Sequence, residues 1–135
     1  MAFATWTEDL SVGVVEIDDQ HRRLLMVIND LHEAVMSGKG RAVSEALFEE
    51  LANYITDNFG TEEKLMEANG YPQYESHRRA HGGFTERVRG LRAKCFDDPA
   101  CASADALGYL KDWIINHDVL IDKDLGVFLN ARGIH

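Results

Sequence analysis

Six side chains that can bind a metal are spaced along this sequence so that helices could bring them together. They are His21, Glu62, His77, His81, His117 and Asp122. His77 and His81 lie at positions i and i+4, which on a helix sets two imidazoles on one face with Cβ atoms about 5–6 Å apart. Each feature alone has an ordinary explanation, since a single histidine or carboxylate is usually a core or solvated residue. Together they suggest one metal centre.

Helices would have to position these side chains. Apolar residues recurring at intervals of three and four predict four amphipathic helices. Their predicted ranges are 18–37, 41–68, 72–95 and 103–130, after an extended N-terminal arm at 1–17. Asp18 is the predicted N-cap of the first helix, and Pro72 suits the first turn of the third. Short connections favour antiparallel neighbours, so we predict a single all-α domain, an up-down-up-down four-helix bundle.

The register of this bundle places the candidate ligands at one height. His21 lies roughly 18 residues before the first turn, near 39–40, and Glu62 roughly 22 residues after it. Glu62 lies about 8 residues before the second turn, while the histidine pair lies about 7–11 residues after it. The same comparison across the third connection puts His117 and Asp122 level with that pair. All four helices therefore present ligands at one level.

The ligand types limit which metals could bind at this centre. Imidazoles and carboxylates without a thiolate suit iron, manganese or zinc. Six ligands are too many for one closed tetrahedral zinc, whereas two carboxylates can bridge two ions about 3.5–4 Å apart. Ferritin-like di-iron bundles need Glu-x-x-His on two helices and a further Glu on each of the others. Only Asp18-x-x-His21 comes close to that motif, so this site is too rich in histidine for that class.

Composition excludes several other classes of protein. The 135 residues carry a formal net charge of −9, which argues against nucleic acid or an anionic membrane as the partner. No apolar run approaches the ~20 residues of a membrane span, and residues 1–10 lack the pattern of a secretory signal. Cys95 and Cys101 are the only cysteines, and we interpret them as reduced thiols of a cytoplasmic protein.

Longer stretches around the candidate ligands resemble a known family. The stretches are Val12–Val14, Ile17–His21, Asn58–Met66, His77–His81, Trp113–His117 and Asp122–Gly126. Through them the chain resembles a single-domain bacterial hemerythrin over nearly its whole length. That resemblance implies two non-haem iron ions with an oxo or hydroxo bridge, and dioxygen as the ligand.

The resemblance also implies a role for each residue. The histidines assigned to one iron are His77, His81 and His117. His21 is assigned to the other iron, and Glu62 and Asp122 to bridging the two. The expected walls of the oxygen pocket are Phe59, Trp113 and Ile114. In the family, dioxygen binds at the iron with fewer histidines.

Asn58 departs from the family pattern. The family has a histidine ligand before the phenylalanine of this motif, and the register puts Asn58 level with His21. An amide oxygen is a weaker donor than imidazole and sits on a shorter side chain, so ligation by Asn58 stays open. We expect the second iron to be labile or solvent-bound. Glu63 points about 100° away from Glu62 and is expected to be solvated or in a surface pair.

These expectations favour a dioxygen-binding protein that carries, stores or supplies oxygen. An oxidase- or peroxidase-like enzyme is the first alternative, because the change at Asn58 opens one iron position. An iron-binding or storage protein is the second. The expected partners are dioxygen and an oxygen-consuming enzyme, and the expected oligomeric state is a monomer.

Overall fold

A computed structural model describes residues 4–37, 41–97, 104–117 and 121–135, with side chains described for all of these except 41–44, 94–97 and 104–106. A short 3₁₀ helix at Glu8–Leu10 lies in the N-terminal arm. The α-helices are α1 (Val15–Met36), α2 (Arg41–Asn69), α3 (Tyr74–Asp97), α4 (Ala104–His117) and α5 (Lys123–Ala131). The described residues contain no strand, which confirms the predicted all-α class. None of their helices has the length and apolar character needed to cross a membrane.

The helices form an antiparallel bundle in which neighbours in sequence pack together. Helix α1 packs on α2 and α4, and α2 packs on α3 and α5. Gln20, near the start of α1, contacts Thr61, late in α2, so these two helices run in opposite directions. Gly70 ends α2 with a positive φ of 65°, and the amide of Tyr71 donates to the Met66 carbonyl. This left-handed helix ending turns the chain back so that α3 can run antiparallel to α2.

Two apolar clusters form the core. The larger cluster contains Leu24, Ile28, Leu51, Phe84 and Leu110, among others. The smaller cluster joins the arm to the end of the chain and is Val12, Val14, Ile17, Met66, Tyr71, Leu125 and Leu129. The fully buried histidines and carboxylates described below belong to neither cluster. The bundle therefore surrounds a polar centre with apolar packing.

The N-terminal arm contacts both α1 and α5 beside the smaller cluster. Ser11 Oγ and the Val12 amide donate to the buried Asp18 carboxylate at 2.6 and 2.9 Å. At Gly126 an added Cβ would collide with the Val12 carbonyl, so α5 approaches the arm as closely as glycine permits. Asn130 Nδ2 donates to the Gly13 carbonyl at 3.0 Å. These contacts hold α5 against the arm and the start of α1.

Several predicted details differ from the structure. Asp18 is not an N-cap, because α1 begins three residues earlier at Val15 and Asp18 binds the arm instead. Helix α3 begins at Tyr74, so Pro72 precedes the helix and lies in the turn. The predicted fourth helix is represented by two α-helices, α4 and α5. The first predicted turn, near 39–40, and Cys101 lie outside the described residues, as does the side chain of Cys95.

Candidate metal centre

All six candidate ligands lie in one buried group, toward the end of the bundle that holds the turn between α2 and α3. Helix α1 supplies His21, α2 supplies Glu62, α3 supplies His77 and His81, α4 ends in His117, and Asp122 directly precedes α5. None of the six is more than 4% exposed. Burying so many ionisable groups is costly unless they are paired or bind a metal. Ligand atoms of five of them, all but His21, lie within 4.8 Å of one another.

The Glu62 carboxylate lies between histidines of the other helices. Its Oε1 atom is 3.0 Å from His77 Nε2, 3.1 Å from His81 Nε2 and 3.9 Å from His117 Nε2. Its Oε2 atom faces the opposite way and lies 3.4 Å from His21 Nε2. One oxygen therefore faces three imidazoles, while the other faces a single imidazole.

The Asp122 carboxylate divides its oxygens in the same way. Its Oδ1 atom lies 2.9 Å from both His77 Nε2 and His117 Nε2, and its Oδ2 atom lies 3.0 Å from His21 Nε2. Two carboxylates thus span the same two groups of imidazoles. This is the arrangement expected of carboxylates that bridge two cations, with each oxygen bound to a different ion.

The spacing of His117 and Asp122 explains why the last helix is divided. In a continuous α-helix, residues at i and i+5 differ in direction by about 140°, so they could not share a site. Residues 121–122, directly before α5, are π-helical, and a π-bulge inserts one extra residue into an α-helix. The departure from α geometry therefore brings Asp122 to the level and direction of His117.

The buried ligand atoms are arranged to bind a metal rather than to hydrogen-bond with one another. His117 Nε2 and Asp122 Oδ1 are only 2.9 Å apart, yet neither has a partner with hydrogen-bond geometry among the described residues. Glu62 Oε2 and Asp122 Oδ2 are also buried without such a partner. Buried polar atoms are normally hydrogen-bonded, and ligand atoms aimed at a common cation are the usual exception. Imidazole and carboxylate donors together suit iron.

The charges of the centre are strongly coupled. Burial alone would raise the pKa of Glu62, but the four histidines around its carboxylate outweigh it and lower the pKa well below its ordinary value. Burial opposes protonation of His117, but the nearby carboxylates of Asp122 and Glu62 outweigh it and raise its pKa to about 9. The pKa of His77 is raised for the same reason. Without a metal, the carboxylates therefore attract protons to the imidazoles, and a metal must displace those protons.

Aromatic rings and one further carboxylate hold the histidines in place. Phe59 stacks on His81 with ring centroids 3.8 Å apart, and Trp113 stacks on His117 at 4.4 Å. Glu63 Oε2 lies 3.2 Å from His81 Nδ1, on the side of the ring away from the centre. A carboxylate in this position fixes the ring orientation and increases the basicity of the ligand nitrogen. Glu63 therefore has the predicted surface pair, with Arg78 at 3.9 Å, and also a contact that the sequence did not reveal.

A small cavity lies beside the centre. Its volume is about 10 Å³, and the expected Phe59, Trp113 and Ile114 line it together with His21, Asn58 and His117. Three further lining residues were missed from the sequence: Leu24, Ile55 and Phe84. Their helical spacing could have identified them, because each lies three residues from His21, Asn58 or His81 and therefore on the same helix face as that residue. The cavity has a mainly apolar wall, as expected of a pocket for a small uncharged molecule.

Comparisons with known proteins agree with this geometry. The family model described as "Hemerythrin HHE cation binding domain" matches residues 12–129. A bacteriohemerythrin of Stenotrophomonas maltophilia (strain R551-3) is 38% identical over 117 residues, covering 87% of this chain and 75% of the relative. A bacteriohemerythrin of Methylococcus capsulatus is 29% identical over 132 residues, covering 97% and 100%. A crystal structure of wild-type hemerythrin superposes with a TM-score of 0.89 at 28% identity, covering 95% and 98%.

Proposed function

The chain belongs to the hemerythrin family, and we propose that it binds dioxygen at two non-haem iron ions held inside the four-helix bundle. The observation that carries this proposal is that two carboxylates each direct their two oxygens toward the same two groups of histidines. Glu62 and Asp122 each turn one oxygen toward a three-histidine group and the other toward His21. A single ion would not need two carboxylates divided in this way.

The ligand assignment that we propose follows this division. The three histidines of the first iron are His77, His81 and His117. His21 belongs to the second iron, Glu62 and Asp122 bridge both, and an oxo or hydroxo group completes the bridge. Bound iron supplies the electrons for reversible oxygen binding, while the chain supplies ligands, orientation and a mainly apolar cavity.

The chain's own residues protect the proposed centre from water. Phe84 stacks on Trp113 with ring centroids 3.8 Å apart, and Trp113 in turn stacks on His117. This column, with Phe59 on His81, covers the three-histidine side with aromatic surface. An apolar cover limits the access of solvent protons, and this favours binding of oxygen over its further reduction.

We propose that the protein carries, stores or supplies oxygen in the cytoplasm as a monomer, with an oxygen-consuming enzyme as its partner. The net charge of −9 supports a molecule that stays dispersed. Asn58 favours a second candidate, an oxidase- or peroxidase-like activity, because it brings an amide rather than an imidazole to the cavity. A protein that only binds or stores iron would show neither reversible oxygen binding nor oxidase- or peroxidase-like activity.

Anaerobic loading with ferrous iron, followed by exposure to air, tests the proposal. We expect two iron ions per chain and a visible absorption band that appears with dioxygen and disappears under argon. Turnover of a reducing dye with peroxide, without a reversible band, would favour the enzyme. Two iron ions without either signal would leave iron storage, and fewer than two would overturn the di-iron assignment.

A further inference from the structure

A short chain of polar side chains fixes the carboxamide of Asn58. Asn58 is 1% exposed, and its Nδ2 atom donates to Gln20 Oε1 at 3.0 Å. Gln20 Nε2 in turn donates to Thr61 Oγ1 at 2.9 Å. Each amide thereby limits the rotation of the next, and the nitrogen side of Asn58 is directed toward Gln20.

The oxygen of the same carboxamide has no such contact. Asn58 Oδ1 is buried and has no hydrogen-bond partner among the described residues, although a buried acceptor without one is costly. Asn58 lines the cavity beside the metal centre, where the other polar lining residues are His21 and His117. The cavity volume of about 10 Å³ is close to the minimum that one water molecule requires.

We propose that Asn58 Oδ1 is a hydrogen-bond acceptor for a single small ligand of the second metal position, and that the ligand is water or another molecule that carries a proton. The proposal rests on the function proposed above, because it concerns the metal beside His21. Gln20 and Thr61 act as positioning residues that keep the carboxamide oxygen available to the cavity.

This acceptor gives the cavity a chemical preference. A ligand with an O–H group can donate to Asn58 Oδ1, whereas a proton-free anion meets an oxygen lone pair and must also displace the water. Displacing a well-ordered water by a group that cannot replace its hydrogen bonds reduces affinity. The second metal position therefore favours water over anions such as azide.

Azide titration of the iron-loaded ferric protein tests this preference by optical spectroscopy. Asn58→Leu removes the acceptor while keeping a side chain of similar size, so azide should bind about tenfold more tightly, the change that corresponds to one ordinary hydrogen bond. Asn58→Asp keeps an acceptor and adds negative charge, so azide should bind more weakly than in the wild type. A role limited to filling space would not move the two variants in opposite directions.

Asn53→Leu is the matched control, since Asn53 lies on the exposed face of the same helix. Its azide affinity should equal that of the wild type. If Asn58→Leu binds azide within twofold of that value, or if both position-58 variants shift in the same direction, the proposal is overturned.

Thermal unfolding of the metal-free proteins gives a readout that needs no iron. Asn58→Leu loses the bond from Asn58 Nδ2 to Gln20 Oε1, but it also removes a buried acceptor without a protein partner, so its melting temperature should stay within a few degrees of the wild type. A melting temperature more than about 10 °C below that of both the wild type and Asn53→Leu exceeds what loss of the single bond to Gln20 explains, so it would mean that Asn58 Oδ1 has a protein partner and would overturn the proposal. The iron content of the wild type separately tests the di-iron function. Failure of that function can therefore be distinguished from failure of the Asn58 proposal.

Discussion

The two halves of the metal centre are built differently. On the side of α3 and α4, three imidazole rings lie with centroids 4.6–5.1 Å apart, and aromatic rings stack on two of them. On the side of α1 and α2, the single imidazole of His21 shares its surroundings with the carboxamide of Asn58 and a small cavity. One half therefore has three imidazoles, while the other has one imidazole beside a small cavity, and we expect the first half to retain metal and the second to exchange ligands.

Removing a carboxylate that serves both halves should have the largest effect. Because Glu62 faces His21 with one oxygen and the other three histidines with the second, Glu62→Ala should empty both positions. The loss of iron affinity should exceed the ten- to hundredfold that changes beyond the direct ligands typically cause. Metal analysis after gel filtration measures it, with the exposed Glu67→Ala on the same helix as the control. Retention of one tightly bound iron would show that the halves do not share Glu62.

Ferrous titration of the metal-free wild type should resolve two classes of site that differ by at least about tenfold in affinity, because one half has three imidazoles and the other has one. His21→Ala should abolish the weaker class and leave the tighter one. Two equally tight sites in the wild type, or loss of both in His21→Ala, would contradict the asymmetry.

Asn58→His should make the two halves more alike. An added imidazole is a better donor than the amide and reaches further, so the weaker ferrous site should tighten and the oxygenated spectrum should decay several-fold more slowly in air. The decay is measured for both proteins at the same pH and temperature, and Asn53→His serves as the surface control. A wild type that keeps its oxygenated spectrum as long as Asn58→His would show that Asn58 does not weaken oxygen binding.

The three-histidine half should also make the metal-free protein sensitive to pH. The folded pKa of His117, about 9, lies above its ordinary 6.5, so protonation stabilises the fold fully below 6.5 and this stabilisation is lost as the pH rises through about 9. The melting temperature of the metal-free protein should therefore fall by several degrees between pH 6.5 and 9. His117→Ala should show a smaller fall. An identical fall in that variant would assign the effect to other groups.

Glu63→Gln should give the smallest effect, confined to the enclosed half. Glutamine keeps an acceptor oxygen for His81 Nδ1 but removes the negative charge that faces this side of the ring. Release of iron from the tighter site to a chelator should accelerate by less than about tenfold, while Glu63→Ala should exceed Glu63→Gln. Glu67→Gln controls for the loss of one surface charge. Equal rates in both Glu63 variants would mean that the contact with His81 does not stabilise the tighter site.

The sequence predicted the bundle well because apolar periodicity and turn residues are local signals. It also predicted that the ligands lie at one level, since helix register can be counted from the turns. It could not predict that Gly126 would meet the Val12 carbonyl, because only tertiary packing brings these two residues together. The contact of Asp18 with the Val12 amide spans only six residues, but it requires α1 to begin at Val15, ahead of Asp18, which the apolar periodicity did not reveal. The direction of the Asn58 carboxamide likewise depends on Gln20, a residue on another helix.

The contact of Asp122 with His21 has a consequence for biosynthesis. Roughly a hundred residues separate the two side chains, and each needs the other's helix to complete the centre. While the chain is still being translated, the first three helices can present His21, Glu62 and the α3 histidines, but the second carboxylate has not yet emerged from the ribosome. We therefore expect stable metal binding to follow translation.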